Sequence, residues 1–503
     1  MESLSEDCLV SRYEPAPLQF VTRRSWYPWL VVGVTCIGGF IGQLDASIVQ
    51  LALPRLEREF GANLDAVSWV AIAYLLAFAS SLPIFARLSE TKGRKLFYLA
   101  GYALFTLASA LCGLVSDLHL LIACRALQGV GGALCGANSI TILVKAAGPS
   151  RLGRAMGLFA AAQAVGISAG PVIGGLILAK WGWRWIFLAS VPFGLAGLIV
   201  GWLTVPQTPQ PTASKRFDWQ GALLLTPALT SVLLMLNEGQ AWGFKSTAML
   251  CALLVAVIFL PLFVWREWQQ PDPLIDLHLF RSPAFSGGLA AVSLSYALLY
   301  SMFFLMSFLF IHGLNESPTL AGLHLALIPI ALGLVAPITG SIYARVGARR
   351  MTTSAMLLCI CALGVLSRSL AGLTVYHYGV MCALALFGVG LGMFIAPNNS
   401  ATIAAAPGTR TGEAGGMLNL MRALGCAIGI ATASVTFSWR LQVFTGNGYK
   451  TVDVPTRILL AATADVLWVL GGFAVAAACC ALLRDAVAQR SKQVIGSGER
   501  QGT

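Results

Sequence analysis

An acidic and a basic side chain each stand deep inside a long apolar stretch of this sequence. Asp45 lies in the run from residue 29 to 51, and Arg125 lies about six residues into the run from 119 to 144. An ionised aspartate at such depth in a membrane costs about 2.5–3.5 kcal/mol on insertion scales, so it needs a partner, a proton or a water-filled cavity. Asp45 is therefore a candidate proton carrier. Arg125 must find an acceptor inside the protein, and Asp45 and water in a cavity are the candidates; the alternative is that its side chain extends to one membrane interface. The alternative for Asp45 is a purely structural hydrogen bond to a neighbouring helix.

A dense cluster of small residues lies in the run from 154 to 179. Its members are Gly166, Gly170, Pro171, Gly174 and Gly175. Glycines spaced by four let helices approach closely, and a proline removes one helical hydrogen bond and bends the helix. Glycine spacing alone is more often a sign of packing than of mechanism, but the Gly-Pro-x-x-Gly-Gly cluster is more specific.

A charged turn separates the second and third apolar runs and contains Glu90, Gly93, Arg94 and Lys95. Gly93 permits a bend, and basic residues are common on the cytoplasmic side of membrane proteins. By its spacing alone this turn needs no further explanation.

Several polar and aromatic side chains within the runs would suit a cavity for a bulky amphipathic compound. They are Tyr74, Phe78, Gln163, Tyr296, Tyr300, Phe304, Asn398, Asn399, Asn419 and Arg422. Packing is the alternative role for each aromatic residue. Few acids other than Asp45 lie near the runs, so we expect monovalent cations or neutral lipophilic compounds rather than multivalent cations.

Other chemistries have little support in the sequence. The five histidines are scattered, with no paired spacing for a metal, and no phosphate-cradling Gly-x-x-x-x-Gly-Lys-Ser/Thr motif occurs. Most of the 12 cysteines lie in apolar runs, where a thiol behaves as a small hydrophobic group. We therefore expect no metal, no cofactor and no enzymatic activity.

The composition places these residues in a membrane protein. Of the 503 residues, 57% are hydrophobic and only 11% are charged, against about 25% charged in ordinary globular domains. Apolar runs of about 20 residues recur, which is long enough to cross a bilayer as a helix. The fourteen predicted spans are 29–51, 68–87, 96–115, 119–144, 154–179, 184–204, 218–236, 246–266, 284–311, 320–343, 352–370, 377–404, 414–437 and 459–483.

The net charge of +12 is explained by orientation in the membrane. With both termini cytoplasmic, about 22 lysines and arginines fall on the inner side and about 9 on the outer side. No nucleic-acid partner is needed to account for the basic balance. Residues 1–28 have no cleavage signal, so we interpret them as a retained tail of a multi-pass protein in the inner or plasma membrane.

An internal repeat divides the chain. Arg151 to Gly157, followed by Gly166 and Gly170, matches Arg410 to Gly416, followed by Gly425 and Gly429, at an offset of about 259 residues. Spans 1–6 repeat as spans 9–14, and spans 7 and 8 have no counterpart. The predicted fold is all-α, with two six-helix bundles and two inserted helices. The predicted regions are a tail at 1–28, a bundle at 29–204, a linker with the inserted helices at 205–283, a bundle at 284–483 and a cytoplasmic tail at 484–503.

Several ordered motifs together resemble the signatures of the major facilitator superfamily. They are Leu44-Asp45 with Pro54, Gly93-Arg94-Lys95, Arg125-x-x-Gln128-Gly129 and the Gly170-Pro171 cluster. Trp183-Arg-Trp, Phe217-Asp218-Trp219 and Asn237-Glu-Gly239 are similar to motifs of its 14-helix drug/proton antiporters, of the QacA/EmrB type. The resemblance covers residues 30 to 485. The loop departs from the family pattern where Ala86, Glu90 and Thr91 replace Gly, Asp and Arg.

The resemblance implies roles for the residues that match. Asp45 and Arg125 would couple transport to protons, the 90–95 turn would gate, and Gly170-Pro171 would limit leak. The expected function is proton-driven export of lipophilic or monocationic drugs, without a cofactor. Export of an endogenous metabolite, a lipid or a self-made antibiotic is an alternative, and a non-transporting sensor or scaffold is a minor one. A periplasmic adaptor is a conceivable partner if the host has two membranes.

Overall fold

The computed structural model of the chain describes residues 14–148, 151–208, 217–243, 246–271, 273–370, 377–406, 411–446, 451 and 454–500. Within these ranges, fourteen helices are long and apolar enough to cross a membrane. Helices form because a backbone in lipid must satisfy its own hydrogen bonds. The predicted number of spans is confirmed.

The fourteen helices follow one another along the chain with short connections. They are α1 (Tyr27–Phe60), α2 (Leu64–Lys92), α3 (Arg94–Leu114), α4 (Leu118–Ala147), α5 (Leu152–Lys180), α6 (Arg184–Thr204), α7 (Trp219–Trp242), α8 (Thr247–Gln269), α9 (Pro283–Gly313), α10 (Pro318–Val346), α11 (Ala348–Leu370), α12 (His377–Ala404), α13 (Thr411–Thr445) and α14 (Thr456–Arg500). The last turn of α9, Leu309–Gly313, is π-helical. A short helix, Gln19–Thr22, precedes α1.

Several helices extend beyond their apolar runs. The first run ends at residue 51, whereas α1 continues to Phe60 and carries an Arg55–Glu59 pair at 3.9 Å. Charged residues of this kind are good helix formers, so hydropathy marks the membrane crossing but not the end of the helix. The predicted linker falls partly outside the described residues, at 209–216.

The two halves of the sequence repeat pack in the same way. A Cβ atom at Gly129 of α4 would collide with the Tyr74 carbonyl of α2, and one at the equivalent Gly388 of α12 would collide with the Ile328 carbonyl of α10. Helix α5 packs on α1, and its counterpart α13 packs on α9. Glycines at the repeated positions therefore let equivalent helix pairs approach closely in both bundles.

The inserted helices α7 and α8 form a hairpin against the two bundles. Helix α7 contacts both α2 and α13, whereas α8 packs mainly on α7 and exposes a row of large apolar side chains. Polar contacts fix the hairpin at one end, where Ser68 donates to Asn237 (3.1 Å) and Trp69 donates to Glu238 (2.5 Å).

The ends of the bundle can be named by the segments they carry. The Glu14 carboxylate, near the N-terminus, accepts from the backbone N–H of Leu96 (3.2 Å) and of Thr208 (2.5 Å). The α2–α3 turn thus lies at the same end as the N-terminus. An even number of spans brings the C-terminus back to that end, which we call the termini face, and we call the opposite end the far face.

Candidate functional site

Asp45 of α1 and Arg125 of α4 meet in the centre of the N-terminal bundle. Arg125 Nη1 lies 2.6 Å from Asp45 Oδ2, and the side chains of Arg125 and Asp45 are 1% and 0% exposed. The structure brings together the two residues that the sequence identified as a candidate pair. A buried carboxylate and guanidinium compensate each other's charge, which neither could otherwise carry at this depth.

The pair belongs to a larger hydrogen-bonded network. Gln128 Nε2 donates to Asp45 Oδ1 and to Ser109 Oγ, both at 2.8 Å, while Gln128 Oε1 accepts from Arg125. Arg125 Nε donates to the Val70 carbonyl at 2.8 Å. Gln128 was not among the predicted site residues, although its position three residues after Arg125 places it on the same helix face.

The network occurs in one half only. The 259-residue offset pairs Arg125 with Leu384 and Gln128 with Phe387, which are both buried apolar residues of α12. The repeat therefore preserves the packing but not the charges. At these equivalent positions, the N-terminal bundle holds a buried ion pair and the C-terminal bundle holds apolar residues.

A cavity lies between the two bundles and is lined by residues of both. The predicted residues that line it are Tyr74, Phe78, Gln163, Tyr300, Asn419 and Arg422. Residues from α1, α2, α3, α4 and α5 form one wall, and residues from α9 and α13 form the other.

Four predicted cavity residues do not line this cavity. Phe304 is fully buried and packs on Phe308, with ring centroids 4.9 Å apart. Asn398 is buried and donates to the Gly288 carbonyl (3.1 Å). Tyr296 lies behind Arg422, and Asn399 also lies outside the lining.

Other lining residues were not identified from the sequence. Examples are Gly38, Gly42, Gln43, Ala46, Tyr102, Phe105 and Phe159. The spacing of Gly38, Gly42 and Ala46 is one signal that could have found part of this wall, because small residues four apart share one face of α1. The aromatic residues carry no comparable signal in uniformly apolar helices.

Tyr74 separates the ion pair from the cavity. Asp45 and Arg125 are not in the lining, but the Arg125 guanidinium carbon lies 4.4 Å from the centre of the Tyr74 ring, which does line the cavity. In this conformation the carboxylate is closed off from the cavity, and Tyr74, which lines the cavity, contacts the arginine of the pair.

A second cavity continues towards the termini face. The two cavities share Gly136 and Asn419 as lining residues. At the mouth, Glu90 lies 3.1 Å from Arg94 and 3.3 Å from Arg87, which also reaches Glu413 of α13 at 3.6 Å. The predicted gating residues Glu90 and Arg94 thus belong to a charge network that links the two halves.

Gly93 and Lys95 have a different setting in the same turn. Gly93 has φ +111°, a conformation that favours glycine, and a Cβ atom there would collide with the Glu14 carboxylate. Lys95 is fully buried and donates through Nζ to the carbonyls of Pro15 (2.8 Å) and Trp202 (3.0 Å). These two residues fasten the turn to the N-terminal segment and to α6.

The small-residue cluster of α5 serves two interfaces. Three of its members face α1, namely Gly166, Gly170 and Gly174. A Cβ atom at Gly175 would lie 2.5 Å from the Pro318 carbonyl, and the Pro171 carbonyl abuts Gly322, so both residues pack against the start of α10 in the other half. The cluster therefore packs the two bundles against each other near the far face.

Polar contacts between the halves complete the closure of the far face. Asp65 of α2 accepts from Ser434 (3.2 Å) and Ser438 (3.1 Å) of α13. His312, at the end of α9, lies 3.2 Å from Glu57 of α1. The cavities therefore extend to the termini face and are closed at the far face.

Sequence comparison with known proteins finds a matching family model and several related proteins. The family model of the Major Facilitator Superfamily matches residues 35–430. The riboflavin transporter RibZ of Clostridioides difficile is 32% identical over 82% of this chain and 89% of its own. The multidrug resistance protein Stp of Mycobacterium tuberculosis is 32% identical over 82% and 76%. The tetracenomycin C resistance and export protein of Streptomyces glaucescens is 30% identical over 82% and 77%.

Solved structures share the fold at low sequence identity. A bacterial homologue of the human lysosomal transporter Spinster, in an inward-facing and unoccupied conformation, superposes with a TM-score of 0.66 at 13% identity, covering 92% of this chain and 98% of that one. The transporter PepTSo of the POT family gives 0.63 at 15% identity, with the same coverage.

Proposed function

Because the chain belongs to the major facilitator superfamily, and is thus a multi-pass membrane transporter, we propose that it is a proton-coupled exporter of lipophilic compounds. Relatives named for multidrug resistance and for tetracenomycin C resistance and export support the export direction. The single observation that carries the coupling is the buried Asp45–Arg125 pair next to a cavity wall.

The coupling follows from the charges of the pair. Protonation of Asp45 would neutralise the partner of Arg125 and leave a buried guanidinium uncompensated. Arg125 would then shift, and with it Tyr74, on whose ring it stacks at 4.4 Å. Since Tyr74 lines the cavity, a change at the carboxylate alters the substrate-binding wall, and an occupied cavity opposes that change.

The gates supply alternating access. We propose that the Arg87–Glu413 contact strengthens at the termini face while the contacts of Asp65 open at the far face. One net charge moved across 100 mV supplies about 2.3 kcal/mol, which supports accumulation of roughly 50-fold. Release of one proton to the inside for each substrate molecule exported would move this one net charge.

The lipophilic part of the expected substrate class has more support than the monocationic part. The cavity contains aromatic rings and amide side chains but no carboxylate among its described lining residues. A cation would find no opposite charge there.

Export of a metabolite or of a self-made antibiotic is the second candidate function. RibZ is named as a riboflavin transporter, and a further relative, 31% identical over 79% of this chain, is named the methylenomycin A resistance protein of Streptomyces coelicolor. The first name states transport of one defined compound, and the second states resistance to one defined compound. The same cavity and coupling pair would serve that function.

We propose the plasma membrane as the location, with the termini face cytoplasmic. The distribution of lysine and arginine supports this orientation. In this proposal, transport needs the substrate, protons, the proton gradient and the lipid bilayer, and it needs no cofactor or nucleic acid. An adaptor is a partner only in a host with two membranes.

Transport in proteoliposomes tests the proposal. Purified protein is reconstituted with a pH-sensitive dye inside, a pH gradient is imposed, and riboflavin, tetracenomycin C and lipophilic dyes are supplied. We expect substrate-dependent proton flux with wild-type protein and none with Asp45→Asn. Substrate accumulation by Asp45→Asn at the wild-type level would exclude Asp45 as the coupling site.

A further inference from the structure

The central cavity carries one charged side chain. Among the described residues that line it, Arg422 of α13 is charged, and no aspartate or glutamate is present. The buried carboxylate of Asp45, which lies behind the cavity wall, is already compensated by Arg125 at 2.6 Å. The space available to a substrate therefore has a net positive charge.

Arg422 has no ion-pair partner within the part of the chain that the structure describes. Its guanidinium carbon lies 5.9 Å from the centre of the Tyr296 ring, a contact that does not neutralise it. Asn419, one helical turn earlier, also lines the cavity. A cation in a low-dielectric cavity attracts an anion strongly and repels another cation, because little water screens the charge.

We infer that Arg422 is a specificity-determining residue and that the cavity takes amphipathic aromatic anions. The group bound by Arg422 is a carboxylate, phenolate or enolate, with which a guanidinium forms two parallel charge-assisted hydrogen bonds. The aromatic body lies among Tyr74, Phe78 and Tyr300. This inference rests on the proposed function only in using the same cavity as the substrate site.

Two of the three acids that line the mouth are paired with arginines: Glu90 lies 3.1 Å from Arg94, and Glu413 lies 3.6 Å from Arg87. The third, Asp276, accepts a hydrogen bond from the backbone N–H of His278 at 2.9 Å. No free carboxylate among the described residues of the mouth would select cations before they reach Arg422.

The internal repeat supplies a matched variant. The 259-residue offset pairs Arg422 with Gln163 of α5, which lines the same cavity. Arg422→Gln gives α13 the residue that α5 already carries at the equivalent position, so helix packing should tolerate it. Arg422→Lys keeps the charge but cannot form two parallel hydrogen bonds with one carboxylate. Gln163→Ala is the control, because it alters the cavity wall without altering the charge.

Two xanthene dyes of opposite charge test the inference: fluorescein, an anion, and rhodamine 123, a monocation. Equilibrium binding is measured by fluorescence polarisation with full-length protein in detergent. We expect wild-type protein to bind fluorescein at least about tenfold more tightly than rhodamine 123. Arg422→Gln should lose this preference, Arg422→Lys should retain part of it, and Gln163→Ala should keep it.

Equal or tighter binding of rhodamine 123 by wild-type protein would overturn the inference, as would binding of neither dye. Unchanged fluorescein binding by a folded Arg422→Gln protein, verified by its wild-type elution in gel filtration, would also overturn it. Binding does not depend on coupling. A charge preference without proton flux in proteoliposomes would refute the proposed export function and leave the assignment of Arg422 intact.

Discussion

Replacing Asp45 by asparagine removes the charge at the centre of the N-terminal bundle while keeping the size of the side chain. In the native protein Asp45 lies 2.6 Å from Arg125, and both are at most 1% exposed. Without its partner, the guanidinium retains as neighbours the Val70 carbonyl, Gln128 and the rings of Tyr74 and Phe187. None of these carries a compensating negative charge.

The expected cost is large. Removing one partner of a buried ion pair costs about 3–5 kcal/mol, because the other charge stays buried and uncompensated. An asparagine oxygen can still accept one hydrogen bond from Arg125, so we expect about 3 kcal/mol of lost unfolding free energy. Unfolding by SDS titration in mixed micelles measures this quantity.

A double variant separates lost charge compensation from simple damage to packing. Leu384 stands at the repeat position of Arg125, so Arg125→Leu introduces a residue that the other bundle already holds there. Asp45→Asn combined with Arg125→Leu removes both charges and should be more stable than Asp45→Asn alone. If the double variant is less stable than the single one, or if Asp45→Asn is as stable as wild type, charge compensation is not the reason for the pair.

Three further predictions concern the helix contacts and the gates. A Cβ atom at Gly166 would lie 2.5 Å from a carbonyl oxygen of α1, so Gly166→Leu should lose about 1–3 kcal/mol in the same SDS titration, whereas Gly157→Leu on the open face of α5 should stay near wild type. Glu413→Gln removes the ion pair between the halves at the termini face. Because the Glu413 side chain is 41% exposed, the loss of unfolding free energy should be less than about 1 kcal/mol. Maleimide labelling of a cysteine placed in the cavity should nevertheless become faster from that face. Asp65→Ala removes two hydrogen bonds to α13 and should increase labelling from the far face, and unchanged labelling would show that this contact does not hold the gate.

Much of the fold follows from the sequence because the crossing of a membrane is a local property. About 20 apolar residues in succession must form a helix in lipid, so the fourteen spans could be counted without knowledge of their neighbours. The pairing of Asp45 with Arg125 was predictable because two opposite charges in lipid have few other means of compensation.

The tertiary structure alone decided which side chains face the cavity. Tyr300 lines it, whereas Phe304, one turn later on the same helix, is buried in packing, and Asn398 binds a carbonyl of α9 instead. In a helix that is apolar all round, the sequence does not indicate which face turns inward, since rotation depends on the neighbouring helices. The same reason applies to Arg422: its charge is visible in the sequence, but its position as the one charged group among the described lining residues follows from the packing of α13 against α9.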